Sequence, residues 1–180
     1  MPAITASSAC GFLNSFPQHI KATKQRVVLD VELDRTNPWG FFDGATQNNI
    51  CGGGYLLYLL ENHFFKLIVG LGEGNLKLLL VFATYKDCKI LNFMGDSLNV
   101  INWINGTQHC IILRLDSILR SAREVLNSFD AYSCRHIYWE NNREAKKASK
   151  EGLQLAMGQW KMKEHRGDTI WEYYHRPFIE

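Results

Sequence analysis

The chain has 180 residues, of which 46% are hydrophobic and 12% aromatic, and its formal net charge at pH 7 is +2. This length and composition predict one folded domain with a sizeable core and exclude a disordered protein. The charge is too small to indicate a nucleic-acid partner by itself, and no apolar run approaches the roughly 20 residues needed to span a bilayer.

The first 36 residues are expected to be a poorly ordered leader. Residues 1–26 contain no acidic side chain and weakly resemble an organelle transit peptide, but they lack the apolar core of a secretory signal. We therefore expect an intracellular protein, nuclear or cytoplasmic and not secreted. Apolar and polar residues alternate over residues 26–33, which predicts an extra edge strand or an extended lead-in.

Three strands joined by short turns are predicted next. Residues 39–45 form an aromatic run that contains a single carboxylate, Asp43. A polar turn and a glycine-opened strand over residues 50–58 follow, and residues 64–71 are rich in aromatic and branched side chains. Such short runs between turns predict an antiparallel meander.

Helices and strands alternate after this meander. Residues 76–86 predict a buried helix, residues 89–95 a fourth strand and residues 97–105 a short helix. Because the first of these helices lies between two strands, it predicts a parallel crossover.

The strongest helical pattern has apolar residues at i, i+3, i+4 and i+7 over residues 115–129. A fifth strand is predicted over residues 133–140, and then a helix over 142–153. That last helix has a face of small residues suited to close packing, formed by Ala145, Ala148, Ser149 and Gly152. Residues 158–180 are predicted as an aperiodic tail.

Two aspartates lie at the ends of predicted strands. Asp43 follows aromatic residues of the first strand, and Asp96 follows the fourth strand in a Gly-Asp-Ser sequence. Two strand-borne carboxylates are typical of a divalent-metal site on a sheet. The alternative is that Asp43 caps a turn and Asp96 caps a helix.

Three motifs occur in order: Phe-Phe-Asp-Gly-Ala at 41–45, Gly-Asp-Ser at 95–97 and His-Ile-Tyr at 136–138. With the order of elements, they resemble the ribonuclease H fold, and more closely the ribonuclease H-like domains that plants carry in many retrotransposon-derived copies. The resemblance implies an α/β domain over residues 37–157. Its five-stranded mixed sheet has three antiparallel and then two parallel strands, flanked by helices.

The resemblance implies hydrolysis of the RNA strand of an RNA/DNA hybrid by two Mg²⁺ or Mn²⁺ ions held between four acids. One ion activates water and the other stabilises the leaving 3′ oxygen. Asp43 and Asp96 match two of the four acids. Small polar side chains are expected in the minor groove of the hybrid, with capping or solvent exposure as the alternative role for each: Gln47, Ser97, Asn99 and Asn102.

The other two acids are missing from the matching positions. The loop that carries the second acid is shortened, and Glu73 is the only carboxylate nearby. Lys146 stands where the fourth acid is expected, with Glu144 as an alternative ligand, and Trp139 replaces an arginine common in the family. An ammonium at this point repels magnesium or takes its place as the counter-ion of Asp43.

These departures leave more than one function open. The first is a hybrid ribonuclease in which Glu73 and Glu144 complete the site. The second, which we favour, is a monomeric domain that keeps the fold, with hydrolysis and metal binding weakened or lost; such a domain either contacts nucleic acid through its surface or is a relic without a selected role. A third is an oligomer that assembles through aromatic residues of the tail: Trp171, Tyr173, Tyr174 and Phe178.

Overall fold

The structure is a computed structural model that describes residues 33–71 and 75–175. Within these residues, seven strands and four helices follow the order β1 (Trp39–Gln47), β2 (Ile50–Leu60), β3 (His63–Leu71), α1 (Asn75–Tyr85), β4 (Ile90–Gly95), α2 (Leu98–Ile104), α3 (Leu113–Leu126), β5 (Ala131–His136), α4 (Arg143–Gly152), β6 (Trp160–Arg166) and β7 (Thr169–His175). Glu73, Phe178 and most of the predicted lead-in strand lie outside the described residues.

All seven strands belong to one mixed sheet, in the order β5-β4-β1-β2-β3-β6-β7. The pairs β1–β2 and β2–β3 are antiparallel, as the short turns predict. The pairs β1–β4 and β4–β5 are parallel, because helices connect these strands over the face of the sheet. The predicted meander and the predicted crossover are therefore both confirmed.

The predicted number of five strands was wrong. The segment that we expected to be an aperiodic tail forms the hairpin β6–β7, and β6 pairs with the free edge of β3. The alternation of apolar and polar residues is weak in these two strands, because β7 is exposed along its whole length and β6 is only partly buried. The sequence feature that indicates this hairpin is the two-residue turn Gly167-Asp168 between its strands, in which the glycine has a φ of +58°.

The main core lies between one face of the sheet and the helices α1, α2 and α3. Alternate strand residues bring aromatic and aliphatic side chains to this face, where they pack against apolar residues of the three helices. Its largest fully buried members include Tyr55, Phe65 and Phe93 from the sheet and Leu79, Leu80 and Leu126 from the helices. None of the helices in the described residues is long and apolar enough to cross a membrane.

Helix α4 covers the opposite face, over β1, β2 and β3. Its predicted small-residue face is confirmed, since Ala145, Ala148, Ser149 and Gly152 are all buried. On β2, Gly54 allows the helix to approach closely, because a Cβ atom there would lie 2.2 Å from the carbonyl oxygen of Ala145. This close approach brings Ser149 of α4 to the middle of β1, at Asp43.

Candidate active site

Asp43 lies on β1 and faces α4. Its neighbour Phe42 belongs to the main core, so the alternation of the strand turns the Asp43 side chain to the other face of the sheet. Across the strand pair, Asp43 is opposite Gly54. The hydroxyl of Ser149 on α4 donates a hydrogen bond to Asp43 Oδ2. The carboxylate is therefore held between the sheet and the helix.

Asp96 lies beside Asp43 because β4 runs parallel to β1. Gly95, the last residue of β4, is paired with Phe42, so the next residue along each strand is an aspartate. A side chain at position 95 would collide with the ring of Phe42, since its Cβ would lie 2.5 Å from a ring carbon. The ring of His136 at the end of β5 is 3.2 Å from the backbone oxygen of Asp96.

Lys146 reaches the carboxylates from α4. Its Nζ lies 4.0 Å from Asp96 Oδ2. The same Nζ lies 5.8 Å from the centre of the Trp139 ring, which belongs to a 3-10 turn over Trp139–Asn141. The Nδ2 group of Asn142 fixes this turn to the sheet by donating to the carbonyl oxygen of Phe42 at 3.0 Å. The ammonium is therefore a counter-ion within the carboxylate pair, beside Asp96 rather than directly beside Asp43.

Burial makes the charged form of Asp43 less favourable. The pKa of Asp43 is raised from 3.8 to about 6, chiefly by desolvation and also by the charge of Asp96, whereas the Ser149 hydrogen bond and the Lys146 charge act to lower it. One ammonium, that of Lys146, lies beside this pair of carboxyl groups.

The residues present do not fit a pair of divalent ions. Within the described part of the chain, no group of three or more His, Cys, Asp or Glu side chains could hold a metal ion. Glu144 is exposed and lies 3.8 Å from Lys66 Nζ, which directs it away from Asp43. Of the four acids that the resemblance implies, the described residues bring together two, with an ammonium beside them, and an ammonium excludes a cation from the space it occupies.

Three of the residues expected to contact nucleic acid lie close to Asp96 in the chain. Ser97, Asn99 and Asn102 are half-buried, just before α2 or within it, and the Ser97 side chain makes no capping hydrogen bond. Gln47 is exposed at the far end of β1, four residues beyond Asp43. The sequence did not indicate that Ser149 contacts Asp43, because this contact depends on how closely α4 approaches the sheet.

Comparisons with known proteins agree with this architecture. Residues 78–152 match a family model described as reverse transcriptase-like. RNase H1 from the halophilic archaeon Halobacterium salinarum NRC-1 is 23% identical, with a TM-score of 0.61 over 67% of this chain and 99% of that chain. A comparison with curated protein sequences found no match.

Two further structures have similar folds. The N-terminal RNase H domain of a Mycobacterium tuberculosis protein is 15% identical, with a TM-score of 0.58 over 66% of this chain and 94% of that chain. LC11-RNase H1, isolated from compost and solved in complex with an RNA/DNA hybrid, is 14% identical, with a TM-score of 0.58 over 66% of this chain and 97% of that chain. The chain therefore contains a domain with the ribonuclease H-like α/β fold.

Proposed function

We propose that this domain binds RNA/DNA hybrids and has little or no hydrolytic activity. The fold that it shares with LC11-RNase H1, whose structure contains such a hybrid, supports the choice of partner. We also propose that the domain is derived from a retrotransposon, on the basis of the motifs around Asp43, Asp96 and His136. The observation that carries the loss of hydrolysis is the 4.0 Å distance between Lys146 Nζ and Asp96 Oδ2.

The positive charge of Lys146 is the physical reason for the proposed loss of hydrolysis. An ammonium and a divalent cation about 4 Å apart repel each other by about 8 kcal/mol at an effective dielectric constant near 20. Mg²⁺ is usually held by one or two carboxylates together with substrate phosphates, so the charge beside those carboxylates decides whether the ion binds. With Lys146 at one of two carboxylates, the site favours the ammonium over the metal.

Cleavage and binding of a labelled RNA/DNA hybrid, measured with Mg²⁺ and with Mn²⁺, test the proposal. The wild-type protein is expected to bind the hybrid, and its cleavage rate should equal that of the Asp43→Asn variant. Asp168→Asn is the matched control, because Asp168 is an exposed aspartate in the β6–β7 turn. Metal-dependent cleavage that disappears only in Asp43→Asn would contradict the loss of hydrolysis, and a wild-type protein that does not bind the hybrid would contradict the choice of partner.

A further inference from the structure

Two neighbouring aromatic side chains are exposed beside the carboxylate pair. Trp139 is 55% exposed and Tyr138 is 48% exposed, in the segment between β5 and α4. They do not belong to the main core. Aromatic side chains bury a large area each and are enriched at interfaces, so two adjacent exposed rings beside polar groups are candidates for contact with a partner.

The turn that carries these rings is fixed to the sheet. The amide of Asn142 donates to the carbonyl oxygen of Trp139 at 3.1 Å, and the Asn142 side chain donates to the sheet at Phe42. The Tyr138 ring makes an edge-to-face contact with His136, with 5.8 Å between the ring centres. A ring on such a turn is presented to a ligand with little loss of conformational freedom on binding.

Positive charge extends from this turn along the outside of α4. Arg143, Lys147 and Lys150 are exposed and recur at i, i+4 and i+7, so they form one stripe on the helix, which we call the basic stripe. Its length is about 10 Å at the rise of 1.5 Å per residue of an α-helix. Glu144 and Glu151 flank the stripe, three residues before and four residues after Lys147, and both pair with Lys66 on β3.

We propose that Trp139 is a stacking platform for an unpaired nucleobase, and that the backbone of the same single strand follows the basic stripe. Aromatic rings stack on the face of any base, and nearby cations attract the phosphates. In a blunt hybrid only the two terminal pairs have an uncovered face, so the platform favours single-stranded segments, in which every base can stack. This inference rests on the proposed function in taking nucleic acid as the ligand, and it adds a site for the unpaired strand.

Fluorescence anisotropy with labelled oligonucleotides of about 12 nucleotides tests the platform on the full chain. The probes are a single-stranded RNA, the single-stranded DNA of the same sequence and the blunt hybrid. Trp139→Leu is expected to weaken single-strand binding about 5- to 100-fold, whereas Trp139→Tyr keeps most of the affinity. Comparing the RNA and DNA probes shows which strand supplies the base.

Trp171→Leu is the matched control. Trp171 is 41% exposed and also has a cation near its ring, the Arg166 guanidinium at 5.7 Å, but it lies on β7 at the opposite edge of the sheet. This control should bind the single strands as the wild type does. The platform is wrong if Trp139→Leu binds them normally, if both leucine variants lose affinity equally, or if the wild type does not bind them.

A second variant tests the strand path without changing an aromatic residue. Replacing Arg143, Lys147 and Lys150 together by glutamine should reduce the slope of log affinity against log salt concentration by about 2 for the single strands. An unchanged slope would contradict the path along α4. If single strands bind through Trp139 while the blunt hybrid does not bind, the proposed hybrid function fails and the platform stands.

Discussion

At the scale of single residues, the position of the Lys146 ammonium beside Asp96 has the largest chemical consequence. The sequence alone located Asp43, Asp96 and Lys146 in motifs, and it predicted a lysine near the acids. It could not identify which aspartate the ammonium approaches, since that depends on the side chain of Lys146 crossing from α4 to the end of β4. It also could not reveal that Ser149 binds Asp43.

The raised pKa of Asp43 predicts a pH-dependent effect of Asp43→Asn on stability. Burial raises the pKa to about 6 from 3.8, so the folded state holds the proton more tightly than the unfolded state does. The resulting stabilisation of the wild type is complete below about pH 4 and is lost as the pH rises through about 6. The asparagine side chain carries no charge, so the variant should gain up to about 3 kcal/mol over the wild type near pH 8 and little near pH 4.

Urea denaturation of both proteins between about pH 4 and pH 8 measures this difference in the free energy of unfolding. Asp168→Asn is again the control, and its difference from the wild type should vary little across the range. A difference between Asp43→Asn and the wild type that stays constant with pH would show that Asp43 is not destabilised by burial.

At the scale of elements, the close packing of α4 on β2 positions the site. The small residues of α4 were predictable from the sequence, and so was a glycine-opened strand, but their contact was not, because it joins segments about 90 residues apart. The hairpin β6–β7 was missed for a different reason. Edge strands bury little surface, so their hydrophobic pattern is weak.

Gly54→Ala is predicted to separate α4 from the sheet. The new Cβ would lie 2.2 Å from the carbonyl oxygen of Ala145 and 2.3 Å from the amide nitrogen of Ser149, both of which are backbone atoms. We expect the free energy of unfolding to fall by about 3 kcal/mol or more. Chemical denaturation, monitored by circular dichroism, measures the loss.

Gly106→Ala is the control for Gly54→Ala. Gly106 has a φ of +71° and no atom within 4 Å of its hypothetical Cβ, so the alanine costs only backbone strain, about 1 kcal/mol. If the two alanine variants lose the same small amount of stability, the close approach of α4 at Gly54 does not hold.

At the scale of the whole molecule, the antiparallel meander and the parallel crossover that follows it were predictable from turn signals and helical periodicity, whereas the places of β6 and β7 in the sheet were not. The fold is ribonuclease H-like, and the charge at its carboxylate pair differs from what two-metal hydrolysis requires. The features that remain for function are the surface around this pair, the exposed aromatic turn and the basic stripe of α4. They are consistent with a domain that binds nucleic acid and does not cut it.

Calorimetric titration with Mg²⁺ and Mn²⁺ tests most directly whether the ammonium of Lys146 has replaced the metal. The wild-type protein is predicted to show no saturable binding up to about 10 mM, while Lys146→Asp gains a saturable site. Lys147→Asp is the matched control, since it makes the same change of charge on the next, exposed residue of α4. Saturable binding of one or two ions by the wild type, lost in Asp43→Asn, would contradict the account.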